Sequence, residues 1–467
     1  MTTGTDWRFL LPARTWPQLV LLGGVPGTAE SLQEAGAATQ VSETLEGPKA
    51  DAVAILHGAR VSPAEAARRL APGGWLYWEP DERPTLRTAF PALRRVTREL
   101  RACGLEVAGV WWVWPGFDRP HVYVPPEALR WFARTIFLTR TSEERARGRA
   151  LGLLARLGGA SGALVTPCFA VVAGPATDSS RPVLLTHGDE RVILLPFPPD
   201  RLLKVPRRPA FNGKTLREQE TLTRVRSLVD VDIGRAIPEP GGTISFGQAV
   251  ASVESYAPGR SMILTRGGEH DLRLAADWLT KFHLQTLVRR ESWNGRDVAE
   301  AFAAWSGRSE AGPEQSALMG LAMARSRELH GVPFPVVWQH RDFTPWNLLL
   351  DDADRLRVLD WEGARPGPAL CDLLHFAGHW DELEARAVTP QERIRAFLEG
   401  SSASRREIAR YCERLGIDRR FVPLLLVYTR VEIALRTPVS TLDARYVAAL
   451  GDHAEELFRA EGVRHVS

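Results

Sequence analysis

The sequence predicts two kinds of fold in one chain of 467 residues, an α/β domain followed by a two-lobed α+β domain. Three observations predict this. Apolar strand-like runs alternate with helical stretches over residues 16–125. A Pro/Ser/Gly-rich cluster over residues 174–182 then interrupts the pattern. Beyond it short strands come first, and helical periodicity dominates from Asp271 onward. Alternation argues for a parallel sheet, and strands segregated from helices argue for α+β. A chain of this length is expected to hold two or three domains.

The elements follow in order. Residues 18–22 read as a strand ending in the turn Gly23-Gly24-Val25-Pro26-Gly27, with a helix over 28–35. Residues 50–56 form the next strand. Ser62 stands before Pro63 as the N-cap of an amphipathic helix over 62–70. Pro72-Gly73-Gly74 turns into a strand over 75–79. Residues 151–173 read as a helix and a closing strand. Past the cluster, 182–186, 191–196 and 201–205 read as an antiparallel meander. A helix over 214–228 and a strand over 250–256 follow, the latter stopped by Ala257-Pro258-Gly259.

Bulk properties exclude several classes. With 44% hydrophobic and 25% charged residues, the composition is that of a globular protein. A net charge of +3 is too small to argue for a nucleic-acid partner. No run reaches the roughly 18 apolar residues that would span a bilayer. The N-terminus lacks a basic start followed by an apolar core, so a cytoplasmic location is expected. Cys103, Cys168, Cys371 and Cys412 are scattered, which suits reduced thiols.

Of 59 basic residues only Lys49, Lys204, Lys214 and Lys281 are lysines. In that background a lysine marks a place where arginine does not serve. Lys204 lies in a short apolar strand pattern, where a compact ammonium suits phosphate oxygens; the other reading is a lysine reaching out from an edge strand.

The densest chemistry is His340-Arg341-Asp342-Phe343-Thr344-Pro345-Trp346-Asn347, followed by Asp360-Trp361-Glu362. A carboxylate beside a hydroxyl accepts its proton, an amide oxygen five residues later ligates a cation, and an Asp after the next hairpin ligates the same or a second cation. His340 is expected to brace the loop backbone and Trp346 to anchor the loop in the core, the alternative for Trp346 being stacking on a substrate ring. Glu362 faces either the metal or the substrate. Asp372 is expected to cap nearby amides. Acids in His379-Trp380-Asp381-Glu382 and in the Tyr428–Glu432 stretch would suit a cationic substrate.

On these motifs, with Pro368-Ala369-Leu370-Cys371-Asp372 after them, residues 181–467 resemble the aminoglycoside phosphotransferase/choline kinase-like family. The resemblance implies a bilobal protein-kinase-like fold, with an N-lobe over 181–260 and a C-lobe over 261–467. It implies a kinase that uses ATP (or GTP) and Mg2+ to phosphorylate a hydroxyl of a sugar, amino-sugar or amino alcohol. By the same likeness Asp342 is the catalytic base, and Asn347 and Asp360 are the metal ligands. Lys204 contacts the α- and β-phosphates. Glu218 is its ion-pair partner, with Glu220 on the same helix as the competitor. Residues Glu254 to Tyr256 form the hinge beside adenine, and Gly188 lies in the phosphate-covering loop. A glycine commonly stands in the family where this chain has Arg341, and the arginine is read either as binding a carboxylate or substrate phosphate or as solvated or structural.

Residues 1–176 resemble a class I S-adenosylmethionine-dependent methyltransferase domain, Rossmann-like in fold. The likeness rests on the glycine turn at 23–27, on Asp51 opening a strand and on Ala71-Pro72-Gly73-Gly74. The acidic residues such a cofactor site uses are absent, since Leu21-Leu22 precede the glycines and Ala38-Thr39-Gln40-Val41 ends in Glu43 as a poor substitute. Two alternatives to the plain kinase follow: a bifunctional methyltransferase-kinase using S-adenosylmethionine as well, or a non-catalytic nucleotide-binding pseudokinase.

Overall fold

The computed structural model describes residues 4–12, 14–80, 89–118, 120–135, 168–175, 181–186, 190–264, 268–308, 313–384, 389–398, 403–436 and 441–460. The expected helix in 151–167 and the loop glycine Gly188 lie outside the described residues. Two compact units divide the chain. The first comprises Met1–Glu220 and Glu239–Tyr256, the second Thr221–Pro238 and Ala257–Ser467.

The first unit is built on one sheet. Its strands are β1 (Trp16–Leu22), β2 (Ala38–Ser42), β3 (Ala50–Ile55), β4 (Leu70–Trp78), β5 (Glu106–Trp114), β6 (Val122–Val124), β7 (Phe169–Gly174), β8 (Val183–Leu185), β9 (Arg191–Leu195), β10 (Arg201–Pro206), β11 (Pro240–Phe246) and β12 (Ala249–Ser255). Their order is β11-β12-β10-β9-β8-β6-β5-β7-β4-β3-β1-β2. β1 to β4 are mutually parallel in the order β2-β1-β3-β4. β7 runs antiparallel between β4 and β5. Ser62 caps its helix as expected, accepting the Glu65 N–H at 3.1 Å.

The expected boundary at 176–181 does not interrupt this sheet. β6 pairs with β8 through Val122↔Leu185 and Tyr123↔Leu184. The reason is side-chain alternation. One face carries Leu19, Ala54, Tyr77, Val172, Leu184 and Leu203 in a single buried cluster, so strands from both sides of the linker complete the same apolar layer. The intervening residues Val20, Val53, Leu76, Val171 and Val183 fill the opposite face.

The parallel strands reverse order between β1 and β3, the place where open α/β sheets take ligands. The turn that follows β1 at this place, Gly23 to Gly27, is exposed. Gly23 and Gly24 adopt φ of 78° and 92°. A Cβ on Gly23 would stand 2.9 Å from the Ala59 Cβ, and one on Gly24 would stand 2.6 Å from Leu56 Cδ1. The glycines therefore permit close packing against residues 56–59. Asp51 has a structural job, since its carboxylate accepts the Gln18 N–H at 2.8 Å and ties β3 to β1.

The second unit is mainly helical. Its short strands are β13 (Arg260–Ser261), β14 (Leu287–Ser292), β15 (Pro333–Gln339), β16 (Leu348–Leu350), β17 (Leu356–Val358) and β18 (Arg365–Pro368). They form two three-stranded sheets, β13-β16-β17 and β14-β15-β18. The loop from His340 to Asn347 joins β15 to β16, and Asp360 follows β17. Beneath the loop Trp278 stacks on Phe282 and on Phe343, with Trp361 edge-on. No helix among the described residues is long and apolar enough to cross a membrane. All four cysteines are free thiols.

Candidate active site

The loop in the second unit is fixed from below. Asp372 opens the Cys371–Glu384 helix and is buried. Its carboxylate accepts the backbone N–H of His340 at 2.6 Å and that of Arg341 at 2.7 Å. Burial alone would raise the Asp372 pKa, but His283, 3.5 Å away, and the loop amides hold it below the ordinary carboxylate value. Asp372 is thus the expected cap.

His340 is fully buried, with Nε2 2.8 Å from the Leu359 carbonyl and its ring 4.6 Å from the Trp361 ring. Its Nδ1 accepts the Asp342 N–H at 3.3 Å, which leaves Nε2–H to donate to Leu359. The ring braces the chain on both sides, as expected. Trp346 does not anchor the core. It is 48% exposed and stands edge-on to His379 at 4.8 Å. Phe343 and Trp361, both fully buried, do the anchoring.

Arg341 and Asp360 hold φ of 68° and 66°, a region that favours glycine. The first value explains why glycine is common at this position in the resembling family. Here Arg341 is tied by its Nη2 to Glu432. Asp342 follows it, open to solvent at its tip. The protein packed around Asp342, with the Asp360 charge second, pushes its carboxyl up to about 7. Asn347 Nδ2 donates to Asp342 Oδ2 at 2.7 Å and to the Asp342 carbonyl at 3.0 Å. Asp360 and Glu362 present carboxylate oxygens within 4.8 Å of one another. Asp342, Asn347 and Asp360 are therefore brought together, with Glu362 beside the metal-ligand candidates.

The first unit holds the other expected group. β10 is an inner strand between β9 and β12, so Lys204 is not an edge lysine. Leu203 and Val205 point to one face, and Lys204 points to the other with Ser252 and Glu254 opposite on β12. Lys204 is buried and donates to Glu218 on the Asn212–Ser227 helix. Its Nζ also lies 3.1 Å from Glu254, and Arg191 reaches Glu218 at 3.0 Å. Glu220 is exposed, which resolves the choice in favour of Glu218. The Glu254 side chain pairs with Lys204, a role that reading it as hinge backbone did not foresee. Period-2 alternation with Lys204 was the signal that could have found it. Tyr256 is half-buried and edge-on to Trp131 at 6.0 Å.

Sequence reasoning missed Arg365 and Arg436, which converge on Glu432 with Arg341. Positions 341, 365, 432 and 436 have no regular spacing, so only folding reveals the group. Glu432 is occupied by arginines and does not offer a free acid to a cation.

The family model described as the phosphotransferase enzyme family matches residues 176–411, about half of the chain. It begins after β7, so it does not reach the strands that prompted the methyltransferase likeness. A microcompartment-associated aminopropanol kinase is 16% identical with a TM-score of 0.43, over 62% of this chain and 96% of that one. Aminoglycoside phosphotransferase APH(4)-Ia is 16% identical with a TM-score of 0.39, over 60% and 93%. A choline/ethanolamine kinase family protein from Mesorhizobium loti is 17% identical with a TM-score of 0.35, over 59% and 88%. No curated protein matches the chain. With the family model spanning half its length, this chain belongs to the phosphotransferase enzyme family, and its C-terminal part carries that family's protein-kinase-like fold.

Proposed function

We propose that the protein is a small-molecule kinase that transfers the γ-phosphoryl group of ATP, or GTP, to an alcohol. One observation carries the reading: Asp342 and Asn347 lie on a loop that buried Asp372 holds through two backbone amides, and Asp360, after the next hairpin, stands close enough for its charge to act on Asp342. The donor set fits a hard divalent cation such as Mg2+. Asp360, Glu362 and the Asn347 amide supply oxygen atoms, and Asn347 Oδ1 has no hydrogen-bond partner among the described residues. When bound, the cation neutralises charge on the phosphate oxygens. Asp342, poised at about 7, takes the acceptor hydroxyl proton. The hydroxyl oxygen forms the new bond to phosphorus, the bond to the ADP oxygen breaks, and ADP leaves with the bonding pair. Lys204, held by Glu218, is assigned to the α- and β-phosphates, with Glu254 to Tyr256 as the hinge and Gly188 in the covering loop. Residues 181–260 are read as the N-lobe and 261–467 as the C-lobe.

Residues 1–176 are read as a Rossmann-like scaffold. The β2-β1-β3-β4 parallel order supports the fold reading. Packing of the glycine turn against residues 56–59 speaks for structure over S-adenosylmethionine binding. Titrating S-adenosylmethionine by calorimetry separates the scaffold from a bifunctional enzyme. The non-catalytic alternative is opposed by the retention of Lys204, Asp342, Asn347 and Asp360 together. Incubating the protein with ATP, Mg2+ and a metabolite extract, then searching for products heavier by one phosphoryl group, tests the whole reading. Products that form equally with Asp342→Asn would defeat it.

A further inference from the structure

Glu432 sits in the Phe421–Arg436 helix with three guanidinium groups gathered on its one carboxylate. Arg341 Nη2 donates to Oε1, and Arg365 Nη2 lies 3.4 Å from the same oxygen. Arg436 Nη2 reaches Oε2 at 3.3 Å. Arg436 Nη1 also donates to the Arg341 carbonyl at 3.2 Å, so it stands against the backbone of the residue that precedes Asp342. The group lies wholly in the second unit.

Three guanidinium groups share the Glu432 carboxylate, and the next acid is Asp342, whose charge interacts with Arg436. Each guanidinium is attracted to Glu432, while the three repel one another. The three differ in exposure. The Arg341 side chain is 9% exposed, and its buried Nε has no hydrogen-bond partner among the described residues. Arg365 and Arg436 are 62% and 37% exposed and keep donors turned to solvent. Glu432 thus acts as a frame that orients the two outer guanidinium groups, and their planar donors match a carboxylate or phosphate.

We propose that the acceptor bears an oxyanion, a carboxylate or a phosphate ester, near the hydroxyl that is phosphorylated, and that Arg365 and Arg436 bind it. This rests on Asp342 being the base of the phosphotransferase. Arg341 and Glu432 are positioning residues for the pair.

The test uses the full-length protein with saturating AMP-PNP and Mg2+, so that the nucleotide's own phosphate sites are filled. Inorganic phosphate and acetate are titrated into wild type and into the Arg365→Gln/Arg436→Gln variant. The two anions distinguish a phosphate-bearing from a carboxylate-bearing acceptor. Binding of at least one, weakened about tenfold or more in the variant, is expected. Equal binding in both proteins, or binding in neither, overturns the proposal. Turnover adds a second arm, with acceptors drawn from an extract sorted by charge. Anionic acceptors whose KM rises about tenfold in the variant while kcat stays within about threefold support it. Neutral or cationic acceptors overturn it and leave the kinase reading intact. A fall in kcat at unchanged KM also overturns it, because the arginines would then serve the transferred phosphoryl group. Arginine-dependent anion binding with no acceptor ever phosphorylated would defeat the kinase reading while the anion site stood.

Discussion

Asn347 donates its side-chain N–H to the Asp342 carboxylate over 2.7 Å. That bond fixes which way each group faces. The amide nitrogen is committed to the base, so the amide oxygen is the atom left for a cation. Asp342→Asn removes the proton acceptor and keeps the shape. Turnover is expected to fall by about 10²- to 10⁴-fold, the usual contribution of general-base catalysis. Nucleotide affinity should stay close to wild type, because the cation's ligands remain. Product formation by mass spectrometry and AMP-PNP binding by calorimetry check the two halves separately.

The same carboxylate sets a pH dependence. A base works when deprotonated, so kcat/KM is expected to fall as pH drops below about 7 in the metal-poor enzyme. Burial is the first cause of the elevated value and the Asp360 charge the second. A cation at Asp360 offsets that second contribution. Raising free Mg2+ should therefore move the acid limb to lower pH. An acid limb that stays fixed across a Mg2+ titration would show that Asp360 does not hold the ion next to Asp342.

Much of this site was legible in the sequence because it is local. Residues 340, 342, 347, 360 and 372 fall within a short stretch, and their spacing carries their chemistry. The strand around Lys204 was legible as a short apolar run, and the folded sheet puts Lys204 on the face opposite Leu203 and Val205. The sequence did not disclose how far the sheet runs. Whether β6 pairs with β8 depends on partners about 60 residues apart, and apolar alternation is the same for any partner. Trp346 was misjudged because an aromatic beside apolar neighbours usually packs inward. Here Phe343 and Trp361 already fill that space. The arginines around Glu432 come from a loop, a strand and a helix, and no periodicity links them.

Lys204 lies between two buried carboxylates, Glu218 and Glu254. Lys204→Met is expected to lose turnover and also to destabilise the first unit by about 3–5 kcal/mol, the cost of leaving buried charge without its partner. Arg191 still reaches Glu218, and Glu254 lies 3.1 Å from Lys204, so part of the loss should trace to Glu254. Adding Glu254→Gln to Lys204→Met should then restore part of the stability and none of the activity. Urea denaturation of the single and double variants measures the difference. Full additivity of the two substitutions would show that Glu254 and Lys204 do not interact.

A second buried acid makes stability itself depend on pH. Glu79 follows β4 and accepts the Tyr77 hydroxyl at 2.7 Å and the His57 N–H at 2.8 Å. Burial outweighs these bonds and pushes its carboxyl up to about 7 from an ordinary 4.5. Between those two values the folded chain holds a proton that the unfolded chain releases. Folding stability from this group is therefore fully present below about 4.5, declines as pH rises, and is gone above about 7. The loss amounts to at most about 3 kcal/mol. Glu79→Gln keeps the shape and cannot ionise. Its stability relative to wild type should rise from about pH 5 to about pH 7 and level off by pH 8, as read by urea denaturation at each pH. A constant difference across that range would mean that Glu79 titrates like an exposed carboxylate.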